Sequence, residues 1–391
     1  MSAASGGQRA GWAEAREAAF AAGSPLPPVS VPLSAAVGRV LAEPVIALCD
    51  VPHYASSAMD GWAVWGSGPW VLRAAAEARD AALGANEARA IVTGGLIPEA
   101  ADAVLRSEAG EVVGGELRAS IEPFAGQHIR PAGEEFHRGD VAIEPGVRVN
   151  PAHIAVAAAC GADELVVRSR GRVALVLTGD EVVTHGIPGP GAVRDSFGPQ
   201  LPAFVGLLSG EVVRQARVGD NLEVLASALS AEPTASDVVI TTGGTGSSSA
   251  DHLRAALSRL GASILIGGVE MRPGGPSLLA RLDDGRLLIG LPGNPLAAMM
   301  GLLTLAEPVL AALSGGRVVE PSRIRLAQAV PPGRGETRLI PFRVDGGHAR
   351  PSAFIGSAML RGLADASGVL VCSSAGAEAG AELEYLRLPW S

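Results

Sequence analysis

Between Arg172 and Leu313 the chain predicts a doubly wound α/β domain, on three observations. Strand-like and helix-like segments alternate throughout this region, the rhythm of a parallel sheet covered on both faces. The run Leu287–Gly290 is continuously apolar, as a strand buried on both sides must be. Three runs also end in glycine-containing turns, Thr178-Gly-Asp-Glu181, Thr242-Gly-Gly-Thr-Gly246 and Leu291-Pro-Gly-Asn-Pro295, at the sheet edge where open α/β folds bind ligands.

The elements follow in order. A helix is expected over Gly11–Ala22, ended by the Gly23–Pro28 stretch with its three prolines. From Trp62 to about Gly146, short β-runs divided by glycines indicate a small β-rich domain. Pro151–Cys160 reads as an Ala-rich helix. The α/β region begins with a strand at Val173–Leu177, a helix at Pro199–Leu208, a strand at Val212–Val218 and a helix at Leu222–Leu229. It continues with a strand at Asp237–Thr241, a helix at Asp251–Leu260 and strands at Ile264–Ile266 and Leu287–Gly290. A long apolar helix runs from Pro295 to Leu313, with Pro308 starting or kinking its final turns. Short strands then return after Gly315-Gly316, suiting a small β-barrel or sandwich.

Composition bounds the function. A chain of 391 residues is too long for a single core and predicts two to four domains. A net charge of −9 argues against a nucleic-acid surface. An N-terminus without an apolar core and the lack of a long unbroken apolar stretch argue against export and membrane insertion. A soluble cytoplasmic protein is therefore expected. Cys49, Cys160 and Cys372 fit neither a zinc pattern nor a disulfide framework and read as small buried hydrophobes. The histidines show no metal-binding pair at helical spacing. The chain contains no lysine. That excludes Walker-type phosphate binding and Schiff-base catalysis, so anions must be held by arginine forks, backbone N–H groups and hydroxyls.

In LPGNP, Gly293 gives backbone freedom, Asn294 suits the N-cap and Pro295 the first helical position. TGDE delivers Asp180 and Glu181 at a strand end. They suit a hydrated Mg²⁺, which takes one or two carboxylates and leaves room for substrate oxygens, or they form a solvated loop. The TTGGTG turn offers Gly243, Gly244, Thr245, Gly246 and Ser247 to a phosphate at a helix start, where Asp251 complements the helix dipole or acts on a ligand. Asp60 is a carboxylate set among Ala, Met and Gly in Ser57-Ala-Met-Asp-Gly-Trp-Ala63.

Taken in order, SAMDGWA, TGDE, GGTG with Asp251, and GLPGNP resemble the molybdopterin molybdotransferase family, called MoeA in bacteria and matching the E domain of gephyrin. The resemblance runs from about Trp12 to about Cys372. It implies an α/β multidomain protein with an elongated N-terminal domain (1–50 and 135–170) and an inserted β-rich domain (51–134). A central MogA-like, doubly wound molybdopterin-binding domain (171–316) and a C-terminal β-barrel (317–391) complete that plan. It further implies insertion of molybdate into adenylylated molybdopterin with release of AMP, Mg²⁺ as cofactor, and a homodimer that shares its active cleft. The adenylyltransferase that supplies the adenylylated pterin is a further expected partner.

By the same resemblance, Asp180, Glu181 and Asp251 serve Mg²⁺ and phosphate, while Thr178, Gly179 and the 243–247 loop bind pterin. Pro292, Gly293, Asn294 and Pro295 shape the pocket. Asp60, Thr93 (in Ile91-Val-Thr-Gly-Gly95) and Glu135 (in Arg130-Pro-Ala-Gly-Glu-Glu135) act across the dimer cleft. In Met271-Arg-Pro-Gly-Gly-Pro276 the family pattern Lys-Pro-Gly-Lys-Pro keeps its first charge as Arg272 and loses its second at Gly275; Arg338 and Ser357 complete the anion pocket. Phe197, where the pattern has Asn, and Ser248, where it has Gly, are further departures. With Gly275 and Phe197 altered, a diverged paralogue that holds molybdopterin without inserting metal is the alternative.

Overall fold

The computed structural model describes residues 8–73, 82–231, 234–243, 250–334 and 336–391. Gly244, Thr245, Gly246, Ser247 and Ser248 lie outside the described residues, as does the side chain of Asp251. The chain forms two compact units, one of residues 30–167 and one of residues 1–29 with 168–391.

The second of these units holds a six-stranded sheet in the order Gly210–Val218, Gly171–Thr178, Val238–Thr242, Leu287–Leu291, Leu278–Arg281 and Ser263–Ile266. The first four strands are parallel, and the Leu278–Arg281 strand runs antiparallel between its neighbours. Alternating side chains divide the core as strand geometry requires. Val173, Leu175, Leu177, Ile240 and Ile289 face one layer, and Ala174, Val176, Val239 and Leu288 face the other. Helices Leu222–Ser230 and Ala250–Arg259 cover the second face through Leu225, Leu229, Leu253 and Leu257. Helix Phe197–Leu207 and the long apolar helix cover the first through Leu201, Phe204, Met299 and Leu310. The hairpin strand Leu278–Arg281 has no counterpart among the expected elements: it turns back on Leu287–Leu291 too soon for a crossover helix, so alternation alone could not reveal it.

The helix Pro295–Leu313 is long and apolar enough to cross a membrane, yet it is wholly buried here and serves as the central core helix. Its middle, Leu302–Ala306, is a π-turn, and α-helix resumes at Glu307–Leu313. Pro308 dictates this local geometry. The Glu307 N–H bonds to the Leu302 carbonyl, and Pro308 has no N–H to offer. The Leu303 carbonyl is thus left without a main-chain donor, and the Arg16 guanidinium supplies one. Arg16 also pairs with Glu307 at 2.7 Å, with only 5% and 10% of the two side chains exposed. Trp12 donates through Nε1 to Thr304 Oγ1 at 3.2 Å.

These contacts anchor the helix Trp12–Ala22 against the sheet-bearing unit. The grouping differs from the expected segment 1–50, because Trp12, Ala15 and Ala19 bury against the core helix. The C-terminal residues form antiparallel strands in the order Thr337–Asp345, Gly368–Cys372, Glu382–Arg387 and Ser322–Arg325, with Met271–Arg272 beside the first. His348–Pro351 pairs with the other side of Thr337–Asp345, and a bridge between Leu326 and Ala349 joins the two ends of this sheet.

Residues 30–167 carry another six-stranded sheet, ordered Ala103–Arg106, Gly61–Val64, Glu87–Ile91, Trp70–Arg73, Glu116–Ala119 and Gly110–Val113. Val64, Trp70, Leu105 and Leu117 form its core. A separate cluster of Val31, Leu41, Val149 and Val167 surrounds the helix Pro151–Ala159. Cys160 and Cys372 are buried as expected, whereas Cys49, on a loop, is half-exposed.

Replacing Arg16 with leucine strands a buried carboxylate and a buried carbonyl, so it should destabilise this unit by about 3–5 kcal/mol. Adding Glu307→Leu removes the stranded charge and should recover part of that loss, the Leu303 carbonyl and the Val319 N–H remaining unpaired. Urea unfolding of the single and double variants measures both effects, and equal destabilisation by the two would contradict this account.

Candidate functional site

The chain runs from the Gly171–Thr178 strand outward to Gly210–Val218 on one side and then to Val238–Thr242 on the other. Between the first and third of these strands the sheet order reverses, which opens a crevice at their carboxyl ends. Thr178 spans it, donating through Oγ1 to the Thr242 carbonyl at 2.9 Å. Gly243 follows with φ +83°, and a Cβ there would lie 2.4 Å from Thr178 Oγ1, so no side chain fits. Only glycine lets the two strand ends meet this closely.

A cleft of about 690 Å³ lies over this edge. Thr178, Gly179, Glu181, Gly243, Gly293 and Asn294 line it, all expected as site residues. Its apolar wall includes Val182, Phe197 and Leu360. Phe197 begins the helix Phe197–Leu207, and Asp195 holds that helix start by accepting the N–H groups of Phe197 at 3.1 Å and Gly198 at 2.9 Å. Arg217 closes the arrangement, its guanidinium 2.5 Å from Asp195.

Asp180 and Glu181 do not act as an adjacent pair. The Asp180 carboxylate accepts the Asp220 N–H at 3.3 Å, and the Asp180 N–H donates to Asp220 Oδ2 at 3.4 Å. Both acids lie in the turn that follows Gly179, whose φ is +124°; there Asp180 braces the neighbouring turn while Glu181 and Asp220 line the cleft. Asp220, Arg194 and Arg217 were missed in the sequence. Asp220 carried a usable signal, an acid two residues beyond the strand Gly210–Val218 at the same sheet edge. The arginines carried none: Arg194 reaches the cleft through the Val182–Val193 pairing, and Arg217, on the strand Gly210–Val218, through its ion pair with Asp195.

Asn294 occupies the N-cap of the core helix, yet its side chain makes no capping hydrogen bond. The Ala297 N–H that an asparagine cap would take donates instead to the Ser357 carbonyl at 3.2 Å. Gly293 is not in the left-handed region, and a Cβ on it would make only an ordinary 3.6 Å contact with Gly243. Its expected role of backbone freedom is therefore corrected: it places the turn against the Gly243 loop.

On the far side of this turn is a smaller cleft of about 360 Å³. Arg272, Gly275, Pro292, Asn294 and Ser357 line it, together with Arg9 and Glu336. Asn294 thus belongs to the walls of both clefts. Arg338 lines neither; its Nη1 donates to the Pro331 carbonyl at 2.5 Å. The Arg272 backbone pairs with Arg338 in parallel register, so the two positions adjoin while their guanidinium groups serve different places.

Among residues 30–167, Asp60 Oδ1 accepts the Thr93 N–H at 2.6 Å and the Thr93 hydroxyl at 2.9 Å. These bonds, the backbone one foremost, hold the Asp60 carboxyl below its ordinary value. Glu135 makes no hydrogen bond to that pair; its N–H donates to the Val51 carbonyl at 2.9 Å. Burial foremost, then Cys49 and Glu135, pushes the Cys160 thiol up.

Among the described residues, no group of three or more His, Cys, Asp or Glu side chains is arranged for a metal. Magnesium needs fewer: one or two carboxylates, with water and phosphate filling its other positions. Glu181 and Asp220 facing one cleft fit that requirement.

Two family models match the chain: "MoeA N-terminal region (domain I and II)" over residues 11–161, and "Probable molybdopterin binding domain" over residues 174–312. The molybdopterin molybdenumtransferase of Nostoc sp. is 33% identical over 301 residues, covering 73% of this chain and 69% of that protein. The Staphylococcus aureus molybdopterin molybdenumtransferase is 31% identical over 318 residues, covering 77% and 75% respectively. Among solved structures, the molybdopterin biosynthesis MoeA protein of Pyrococcus horikosii aligns with a TM-score of 0.80 and 25% identity. That alignment covers 97% of this chain and 99% of that one.

Burial alone would raise the Asp195 carboxyl, but the Gly198 N–H, Arg217 and the Phe197 N–H together hold it below the ordinary 3.8. A lowered folded pKa stabilises the fold above the unfolded value and loses that contribution as pH falls through the folded value. Stability should therefore drop as pH falls below 3.8. Asp195→Asn should be less stable at neutral pH and show a shallower acid decline, measurable by urea unfolding across that window.

Proposed function

The chain belongs to the MoeA family of molybdopterin molybdenumtransferases, and on that footing we propose that it inserts molybdate into adenylylated molybdopterin and releases AMP. The family relationship places it in molybdenum cofactor biosynthesis. The observation that carries the finer reading is the shared wall: two clefts of different chemistry meet at Asn294. The larger pairs an apolar side with Arg194, Arg217, Glu181 and Asp220, suited to a flat heterocycle bearing phosphate. The smaller presents arginines to an oxyanion. Held on either side of one rigid turn, the two substrates are brought together without a moving part, so positioning supplies much of the rate.

In this reading the apolar wall of Val182, Phe197 and Leu360 excludes water from one side of the pterin nucleotide. Arg194 offers its fork to phosphate oxygens. Glu181 and Asp220 would hold Mg²⁺, which supplies positive charge against the phosphates at the bond to be broken. Asp180 keeps the Asp220 turn in place. The Asn294 amide, free of its capping duty, can orient groups from either cleft.

The Asp60–Thr93 pair is assigned to the same reaction from a second copy of the chain. Thr93 is flanked on its own loop by the exposed apolar residues Val92 and Leu96, at 68% and 60% exposure, which supports a covered surface there. A homodimer with a shared cleft is thereby proposed.

Glu181→Gln and Asp220→Asn should each cost about 2–4 kcal/mol in the transition state, comparable to losing an oxyanion donor, while leaving thermal unfolding nearly unchanged. Adenylate release from adenylylated molybdopterin, titrated with Mg²⁺ and molybdate, is the measurement; wild-type turnover in both variants would refute the assignment. For the dimer, mixing Asp60→Ala with Glu181→Ala should regenerate one intact site per hybrid. Purified heterodimers without recovered activity would argue against a shared cleft.

A further inference from the structure

The sequence leaves Arg272 as the one cation of the Met271–Pro276 turn. The fold brings a second from the other end of the chain. Strand Arg9–Ala10 pairs in parallel with Gly268–Val269, which delivers the Arg9 side chain into the smaller cleft beside Arg272. Arg9 Nη2 donates to the Val269 carbonyl at 2.7 Å and pairs with Glu336 Oε1 at 3.0 Å. A Cβ on Gly275 would lie 3.2 Å from Arg9 Nη2 and 3.0 Å from the Met271 carbonyl. Gly275 therefore leaves the space that the Arg9 guanidinium fills. No hydrogen bond or ion pair to a described residue engages the Arg272 guanidinium.

We propose that Arg9 is a substrate-positioning residue of the oxyanion cleft, acting with Arg272, and that Glu336 is the internal carboxylate that holds Arg9 there and competes with the incoming oxyanion. The inference rests on the reading of the smaller cleft as the molybdate site. Its chemistry follows from the charges. The two arginines give two positive charges and Glu336 removes one, so the cleft is matched to a tetrahedral dianion only in part. Arg9 is about half exposed and Glu336 about a third, which keeps both within reach of a ligand. The fixed Val269 contact uses one guanidinium N–H and leaves other donors of the fork to an oxyanion. Glu336 prevents Arg9 from swinging into solvent when no oxyanion is present, and its negative charge weakens whatever anion replaces it.

The same arrangement bears on the charge that the sequence lacks at Gly275, where the family pattern has lysine. Such a side chain would start against the Met271 carbonyl and beside a guanidinium of like charge. Gly275→Lys should therefore fail to tighten binding.

Three full-length variants, Arg9→Gln, Arg272→Gln and Glu336→Gln, decide the proposal through calorimetric titration with molybdate, each checked by its thermal melt. Arg9→Gln and Arg272→Gln should each weaken molybdate binding by roughly tenfold to a hundredfold, the range for losing a charge-assisted hydrogen bond. Glu336→Gln keeps a hydrogen-bond acceptor for Arg9, removes the competing charge and should tighten binding severalfold. A merely structural role for the Arg9–Glu336 pair predicts the opposite for Glu336→Gln, a loss or no change. If Arg272→Gln weakens binding while Arg9→Gln and Glu336→Gln leave it unaltered, Arg9 has no part in the cleft and the inference fails alone. If the native chain does not bind molybdate, or Arg272→Gln has no effect, the reading of the cleft falls and takes the inference with it.

Discussion

A buried helix with one carbonyl that the backbone cannot satisfy organises this unit. Pro308 removes an N–H from the middle of Pro295–Leu313, the π-turn reassigns the Glu307 N–H, and the Leu303 carbonyl is stranded in the core. An unpaired carbonyl there would cost about 1–3 kcal/mol. Arg16 answers it, and Glu307 answers the charge that Arg16 brings in. That exchange ties the amino-terminal helix to the middle of the core helix.

At the forward end of the same helix stands the Pro292–Pro295 turn. Helix and turn cannot move independently, because Pro295 opens the helix and the Ala297 N–H is tied to the Ser357 carbonyl. The turn is thereby held between the sheet edge on one side and the C-terminal residues on the other. Its two faces differ in chemistry because their surroundings differ. One looks onto strand ends that present glycines, carboxylates and Phe197; the other looks onto the Arg272 turn and the amino-terminal strand.

The amino-terminal segment links these two regions. Trp12 and Arg16 lock the helix Trp12–Ala22 onto the π-turn, and a few residues earlier Arg9 pairs with Gly268 and enters the smaller cleft. The core contact at Arg16 thus sets the position from which Arg9 acts. Chemistry at the cleft and satisfaction of the buried carbonyl are served by one short stretch of chain, with Gly11 at the N-cap joining strand and helix.

The sequence by itself determined the alternation of strands and helices, the parallel sheet, the glycine-bearing turns at its carboxyl edge and the family they resemble. These features are local: each depends on the period of apolar side chains and on residues such as Gly243 and Pro295 whose backbone preferences act within a few positions. Glu181, Thr178, Asn294 and Ser357 were legible for the same reason, as parts of contiguous motifs. Tertiary structure alone decided that Asp180 braces a turn while Asp220 faces the cleft, that Arg338 turns to Pro331, and that Asn294 leaves its cap to Ser357. It also decided that Arg9, 263 positions before Arg272 in the chain, shares a cavity with it. Such placements follow from strand pairing, hairpin reversal and competition for particular N–H groups across distant segments, and no local pattern encodes which distant partner wins.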